Sequence, residues 1–153
     1  MVTILALLFG SIAAVFQNPS GSWRLNWDLS EGAPYEDTGF PAPPELLLPI
    51  DRIVLAVTDS SATFHDSDGT KRKYLLSGEK EQGSFRGFDV YTRARWNGRT
   101  LRLEMSPEPG LVVVENYFID RNPNHLVLAV TVLQAGRRTG PHIQYVYDSV
   151  FQR

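Results

Sequence analysis

Phe88-Asp89-Val90-Tyr91-Thr92-Arg93-Ala94-Arg95-Trp96-Asn97-Gly98-Arg99-Thr100-Leu101-Arg102-Leu103-Glu104-Met105 is the stretch on which the fold turns. Side chains of opposite character alternate on both sides of Asn97-Gly98. That dipeptide is the strongest short hairpin signal, because a tight turn between twisted strands needs positive φ values that Asn and Gly tolerate. With Asn97 and Gly98 as the two loop residues, Ala94 faces Leu101, Thr92 faces Leu103 and Val90 faces Met105. The other face pairs Arg95 with Thr100, Arg93 with Arg102 and Tyr91 with Glu104. An apolar side and a charged side are what an antiparallel pair with one buried and one wet face requires. Arg93 and Arg102 repel when opposed, and Glu104, diagonal to Arg93, relieves them.

The same period of two extends outward in both directions. It predicts strands over Ser22–Asp28, Arg52–Thr58, Ala62–Asp66, Lys71–Leu76, Phe88–Trp96, Thr100–Met105, Leu111–Ile119, His125–Gln134 and Ile143–Phe151. Turn residues punctuate them, and no stretch shows the 3.6 period of a long helix. Asp59-Ser60 sets Val57 against Ala62 and Leu55 against Phe64. Ser67-Asp68-Gly69 suits a three-residue loop with a left-handed Gly bulge, which keeps Phe64, Ala62 and Tyr74 on one face. Arg121 to Asn124 and Ala135-Gly136 to Gly140-Pro141 read as later loops. The expected architecture is an all-β, antiparallel up-and-down meander of about eight to nine strands, closed into a barrel that removes its edges.

Residues 31–49 break the rhythm. They hold Pro34, Pro41, Pro43, Pro44 and Pro49 together with Tyr35, Phe40 and Leu46-Leu47-Leu48. Proline blocks both ladder bonding and helix interiors, so this is a long irregular loop, either a lid over a barrel mouth or a surface loop pinned by its Leu run or partly disordered.

A chain of 153 residues buries roughly 68–70% of its unfolded surface and is stable without staples. A 42% hydrophobic and 21% charged composition is that of one globular domain, here residues 18–153. The net charge of −2 argues against nucleic acid as a partner. Absence of cysteine removes disulfides, thiol catalysis and thiolate metal sites. Ile4 to Phe16 is apolar apart from Gly10 and Ser11, too short to span a bilayer comfortably but fitting a signal peptide over residues 1–17. No Lys or Arg precedes that stretch and no Ala-x-Ala follows it. Export to the periplasm or medium is the expectation, with no transmembrane segment in the mature chain.

Gly21-Ser22-Trp23 resembles the Gly-x-Trp motif that opens the first strand of lipocalins. The wider pattern is similar to exported bacterial lipocalin-like, calycin-type β-barrel proteins of uncharacterised function. Its bearers are Gly21 to Asn26, Thr58-Asp59-Ser60, Phe64-His65-Asp66-Ser67-Asp68-Gly69, Thr92 to Trp96 and Val146-Tyr147-Asp148. The resemblance implies a barrel in which Trp23 plugs one end, with Gly21 allowing close backbone approach. It departs from lipocalins in lacking their Thr-Asp-Tyr-type turn, and Ser149 stands where the bacterial group commonly shows Arg, so the role of packing on the indole is vacant or passes to Arg153.

No catalytic constellation, phosphate-cradling loop or dinucleotide fingerprint is present, and neither enzyme activity nor a cofactor is expected. His65, His125 and His142 lack metal-ligand spacing, and Asp66 to Gly69 reads as a turn, so no metal site is expected. Glu104 and Glu115 read as charges on a wet face. The first functional expectation is a monomeric, non-catalytic binding protein for a small hydrophobic ligand. Phe40, Leu47, Tyr74 and Tyr117 would line its site, in a cavity of roughly 300 Å³ or more beneath the Pro-rich loop. The second is an envelope module that contacts another protein, with Arg93, Arg95 and Arg102 as an anion or partner patch.

Overall fold

The computed structural model describes residues 18–32, 41–122 and 124–150. The predicted signal segment, Phe40 and Arg153 lie outside these. Among the described residues ten strands form: β1 (Gly21–Glu31), β2 (Arg52–Val57), β3 (Ser61–Asp66), β4 (Lys71–Leu75), β5 (Glu81–Phe85), β6 (Phe88–Asn97), β7 (Thr100–Glu108), β8 (Leu111–Ile119), β9 (His125–Gln134) and β10 (Arg137–Ser149). One 3₁₀ turn, Pro44–Leu46, interrupts the Pro-rich segment. All strands belong to one antiparallel sheet in the order β4-β3-β2-β1-β10-β9-β8-β7-β6-β5.

That order makes the two edges of the sheet, β4 and β5, neighbours in sequence. Residues 76–80 can reach about 20 Å between them when fully extended. A flat sheet of this order would hold its edges about 43 Å apart, from nine gaps at the usual strand spacing. The sheet must therefore curl. It does so as a half-barrel whose inward face carries the core, from Trp23 and Leu25 through Leu101, Leu103 and Met105 to Tyr145 and Tyr147. The edges do not share a ladder. Instead the Gly78 N–H donates to the carbonyl of Ala94 on β6 at 3.0 Å. Arg72 of β4 also lies between Phe64 and Phe85, its guanidinium carbon 4.4 and 4.9 Å from the two ring centroids.

Most of the expected strands stand within a residue or two, with three corrections. β5 goes unpredicted because Glu81-Gln82-Gly83-Ser84 are all exposed and only Phe85 is buried, so no alternation marks it. β10 begins at Arg137 instead of Ile143. Ala135 and Gly136, at φ 49° and 75°, make a two-residue turn that pairs Gln134 with Arg137. Gly140, at φ 78°, then falls in a register shift between Thr139 and Ile143, so the apparent loop is a bulge within a strand. In the β6–β7 hairpin, Asn97 pairs with Thr100 and the loop is Gly98-Arg99. Gly98, at φ 60°, takes the first central position, as in a II′ turn. This moves each partner by two residues, which preserves both faces. It sets Arg95 against Arg102 and Arg93 against Glu104. The registers expected at Asp59-Ser60 and at Gly69 are those observed, with Val57 opposite Ala62 and Ala62 opposite Tyr74.

Trp23 seals one end. It is 4% exposed, and its indole N–H donates to the carbonyl of Pro19 at 2.9 Å. A Cβ on Gly21 would lie 3.3 Å from the indole nitrogen, so only glycine leaves the ring its place without a shift. Ser149 is the residue directly across the β1–β10 ladder from Trp23. Trp23→Phe keeps most of the apolar surface but strands a buried carbonyl, and should cost about 1–2 kcal/mol. The urea midpoint is expected to fall with an unchanged denaturant slope.

Candidate functional site

The half-barrel encloses charge. On β4 the side chains alternate as Lys71 out, Arg72 in, Lys73 out, Tyr74 in. The left-handed Gly69, at φ 88°, sets that phase by placing Phe64 opposite Arg72. Arg72 is 7% exposed, a location a permanent cation occupies only with partners. Its Nε and Nη2 donate to the two oxygens of Asp66, at 2.8 and 3.0 Å, in a bidentate pair. Its Nη1 lies 3.9 Å from Oε2 of Glu115, which accepts a 2.9 Å hydrogen bond from the Tyr117 hydroxyl. Burial pushes the Glu115 carboxyl above its ordinary range, opposed by the Arg72 charge and the Tyr117 hydrogen bond. Burial likewise raises the phenols of Tyr74, Tyr117 and Tyr147. Arg72 Nη1 and the Tyr147 hydroxyl lack a partner of ideal geometry, Arg72 meeting the Tyr74 hydroxyl and Tyr147 the backbone at Ile50.

The Pro-rich segment closes this end. Leu46 and Leu47, at and just after the 3₁₀ turn, are among the most deeply buried side chains in the molecule. The Tyr145 hydroxyl donates to the carbonyl of Leu47 at 2.9 Å. Arg86, in the β5–β6 turn, donates Nη1 to the carbonyls of Glu45 and, at 2.8 Å, of Leu48. The segment is thus a seated lid, pinned from β10 and from the opposite edge of the sheet. Beside it lies an open depression of about 370 Å³ between Leu48–Asp51, the β3–β4 turn at Ser67 and Asp68, and Arg86. Beneath it, Phe64, Tyr117, Tyr145 and Tyr147 are at most 1% exposed.

Of the residues expected to line a site, Tyr74 and Tyr117 converge on the buried centre, their rings 5.9 and 5.2 Å from Phe64. Leu47 belongs to the lid. Arg93, Arg95 and Arg102 lie on the outer face, where Glu104 accepts from Arg102 at 2.8 Å and lies 3.7 Å from Arg95. Glu115 is a correction. It stands opposite Leu103, facing inward and 6% exposed, not on the wet face with Glu104. Sequence reasoning passed over Asp66, Arg72 and Glu115 as candidates. Strand parity was the available signal, because Arg72 alternates with Tyr74, and Glu115 with Val113 and Tyr117. Among the described residues no cluster of metal-binding side chains forms, and no helix is long and apolar enough to cross a membrane.

No protein-family model and no curated protein matches the sequence. Solved structures do resemble the fold. Echinococcus granulosus fatty-acid-binding protein 1 has a TM-score of 0.58 at 12% identity, over 86% of this chain and 97% of that one. The abundant heat soluble (SAHS) protein of Ramazzottius varieornatus has 0.62 at 13%, over 88% and 98%. The REP1-NXSQ fatty acid transporter has 0.58 at 12%, over 88% and 97%. At such identities the likeness is one of fold, a calycin-like β-barrel.

The buried acid has a measurable consequence. As pH rises above Glu115's ordinary value of 4.5, the unfolded chain releases this proton before the folded chain does. The folded state then binds more protons, so this group's contribution to stability declines across the window up to its raised value. Glu115→Gln should therefore gain on the wild type as pH increases there, by up to about 1.4 kcal/mol per pH unit. Urea unfolding of both proteins from pH 4 to 8 reads the difference, and a flat difference would contradict the assignment.

Proposed function

We propose that this chain is a non-catalytic binding protein for a small, largely hydrophobic molecule that enters at the mouth closed by the lid. The carrying observation is the seated lid, whose Leu46 and Leu47 lie buried at one end of a curled sheet that also encloses the polar group Asp66, Arg72 and Glu115. The likeness of fold to proteins named for fatty-acid binding and transport supports the reading.

Binding is an exchange in this scheme. Burying Leu46 and Leu47 stabilises the seated lid by about 3–6 kcal/mol. An alkyl ligand that takes their space recovers that burial, so lid withdrawal and ligand entry nearly offset. Arg86 is the latch, since its guanidinium holds two lid carbonyls.

Titration of the full chain with the uncharged dye Nile red tests the scheme. Saturable one-to-one binding with a blue-shifted emission is expected. Arg86→Ala should raise the association rate several-fold, since withdrawing the lid then breaks fewer hydrogen bonds. Absence of saturable binding in both proteins would overturn the function, and an unchanged rate would overturn the latch.

The same reading puts the protein outside the cytoplasm, resting on the apolar run from Ile4 to Phe16. Residues 1–20 fused to a reporter active only outside the cytoplasm should yield activity, and its absence would count against export.

A further inference from the structure

The outer face of β1–β4 carries charge of one sign. We infer that this face docks on the surface of an anionic phospholipid bilayer, a contact that does not depend on the ligand reading above.

Strand parity builds the face. On β1 from Ser22 to Asn26, and along β2, β3 and β4, the positions that alternate with the core point outward. Arg24, Arg52, Lys71 and Lys73 stand at such positions and are exposed, and no carboxylate does. The bordering acids lie at the margins. Asp51 precedes β2, Asp59 and Asp68 sit in turns, and Asp148 on β10 accepts a hydrogen bond from Asn26 at 2.8 Å. Among the described residues none of the four cations has an ion-pair partner. The hairpin of Arg93, Arg95 and Arg102 differs, because Glu104 serves both Arg95 and Arg102 there.

This arrangement works against the sheet. Arg24 and Arg52 are directly opposed across the β1–β2 ladder, and Lys71 opposes His65 across β3–β4. Like charges so placed are destabilising, and an external anion relieves them. The two arginines border a depression of about 480 Å³ with Leu25, Asp51 and Ser67, where a phosphate group can sit between two guanidiniums. With a net charge of −2 on the whole chain, the excess of acid lies elsewhere on the molecule. Such a polarised field turns this face toward a negative surface.

The layout favours a bilayer over other polyanions. The registers spread the four cations roughly 14 Å across the strands and 13 Å along them, without convergence on one point. Val54 and Leu75, 40% and 48% exposed, stand among them, and no outward position holds Phe, Tyr or Trp. Nucleic acid is read through stacking platforms or an element that fills a groove. Protein interfaces rely on aromatic anchors and are depleted in Lys. A fluid bilayer needs neither, since long Lys and Arg side chains reach its phosphates while aliphatic groups settle at headgroup level. Asp51 and Ser67 also border the depression beside the lid, so docking brings the lid's margin to the membrane.

Co-sedimentation of the full chain with vesicles tests the inference, using phosphatidylcholine alone or with about 30% phosphatidylserine, at about 0.1 M salt. Binding to the mixed vesicles alone is expected, with release at about 0.5 M salt. Each Lys or Arg near an anionic surface contributes about fivefold. Arg24→Gln with Arg52→Gln, and separately Lys71→Gln with Lys73→Gln, should each weaken partitioning roughly 25-fold. Arg93→Gln with Arg95→Gln changes net charge equally and should weaken it less than about threefold. The first two pairs should keep at least the wild-type urea midpoint, which separates lost docking from lost fold. Equal binding to both vesicle types would assign the contact to apolar groups and overturn the inference. So would no binding, equal loss in the hairpin pair, or tighter binding to single-stranded DNA or polyglutamate at the same salt. Each of these results leaves Nile red binding untouched.

Discussion

The short link between β4 and β5 is the constraint from which the rest of the molecule follows. Strand order places these sequence neighbours at opposite edges of a ten-stranded sheet, and the few residues between them cannot cross its flat width. Curling is therefore obligatory, and it turns one face of every strand into an interior. Each inward position must then be apolar or paired. Most are apolar, and the ionisable exceptions, Asp66, Arg72 and Glu115, are gathered into one paired group. The seam itself is held by side chains in place of a ladder, with the Arg72 guanidinium between Phe64 of one side and Phe85 of the other. Arg72 thus both joins the seam and defines the chemistry inside it.

That double role explains why a buried ion pair is present at all. Such pairs are weak sources of stability, and apolar replacements of similar volume often do as well. Here the guanidinium has a surface task, covering two aromatic rings where no ladder joins the edges, and an electrostatic task, orienting Asp66 and Glu115. A Met or Leu at this position would serve the first alone.

Much of this was legible in the residues, and the reasons differ by element. Strands such as Leu111–Ile119 and His125–Gln134 announce themselves through alternation and turn residues, and the Gly69 bulge was readable from composition alone. β5 was not, because an edge strand that exposes four of five side chains has no face to bury and so leaves no period. The turn at Gly98 was identifiable while its register was not, since Asn-Gly and Gly-Arg both satisfy a two-residue loop and both keep Ala94 and Leu103 inside. For the site, Tyr74 and Tyr117 were found as aromatic inward residues. Their charged neighbours were missed because a charged residue on a strand is ordinarily read as marking the wet face. Parity contradicted that habit at Arg72 and Glu115. Pairing distances, and hence mutual neutralisation, are properties of the closed sheet that no local pattern carries.

The ladder between β1 and β10 has a consequence for how the molecule comes into being. Trp23 and Leu25, near one end of the chain, find their cross-strand partners in Ser149 and Tyr147, near the other. During vectorial synthesis the first strand therefore waits, with its indole uncovered on that side, until the last strand has emerged. Contacts of such long sequence separation form late and slowly. The half-barrel is in this sense assembled backwards from β10, and it stays open until that strand has been made.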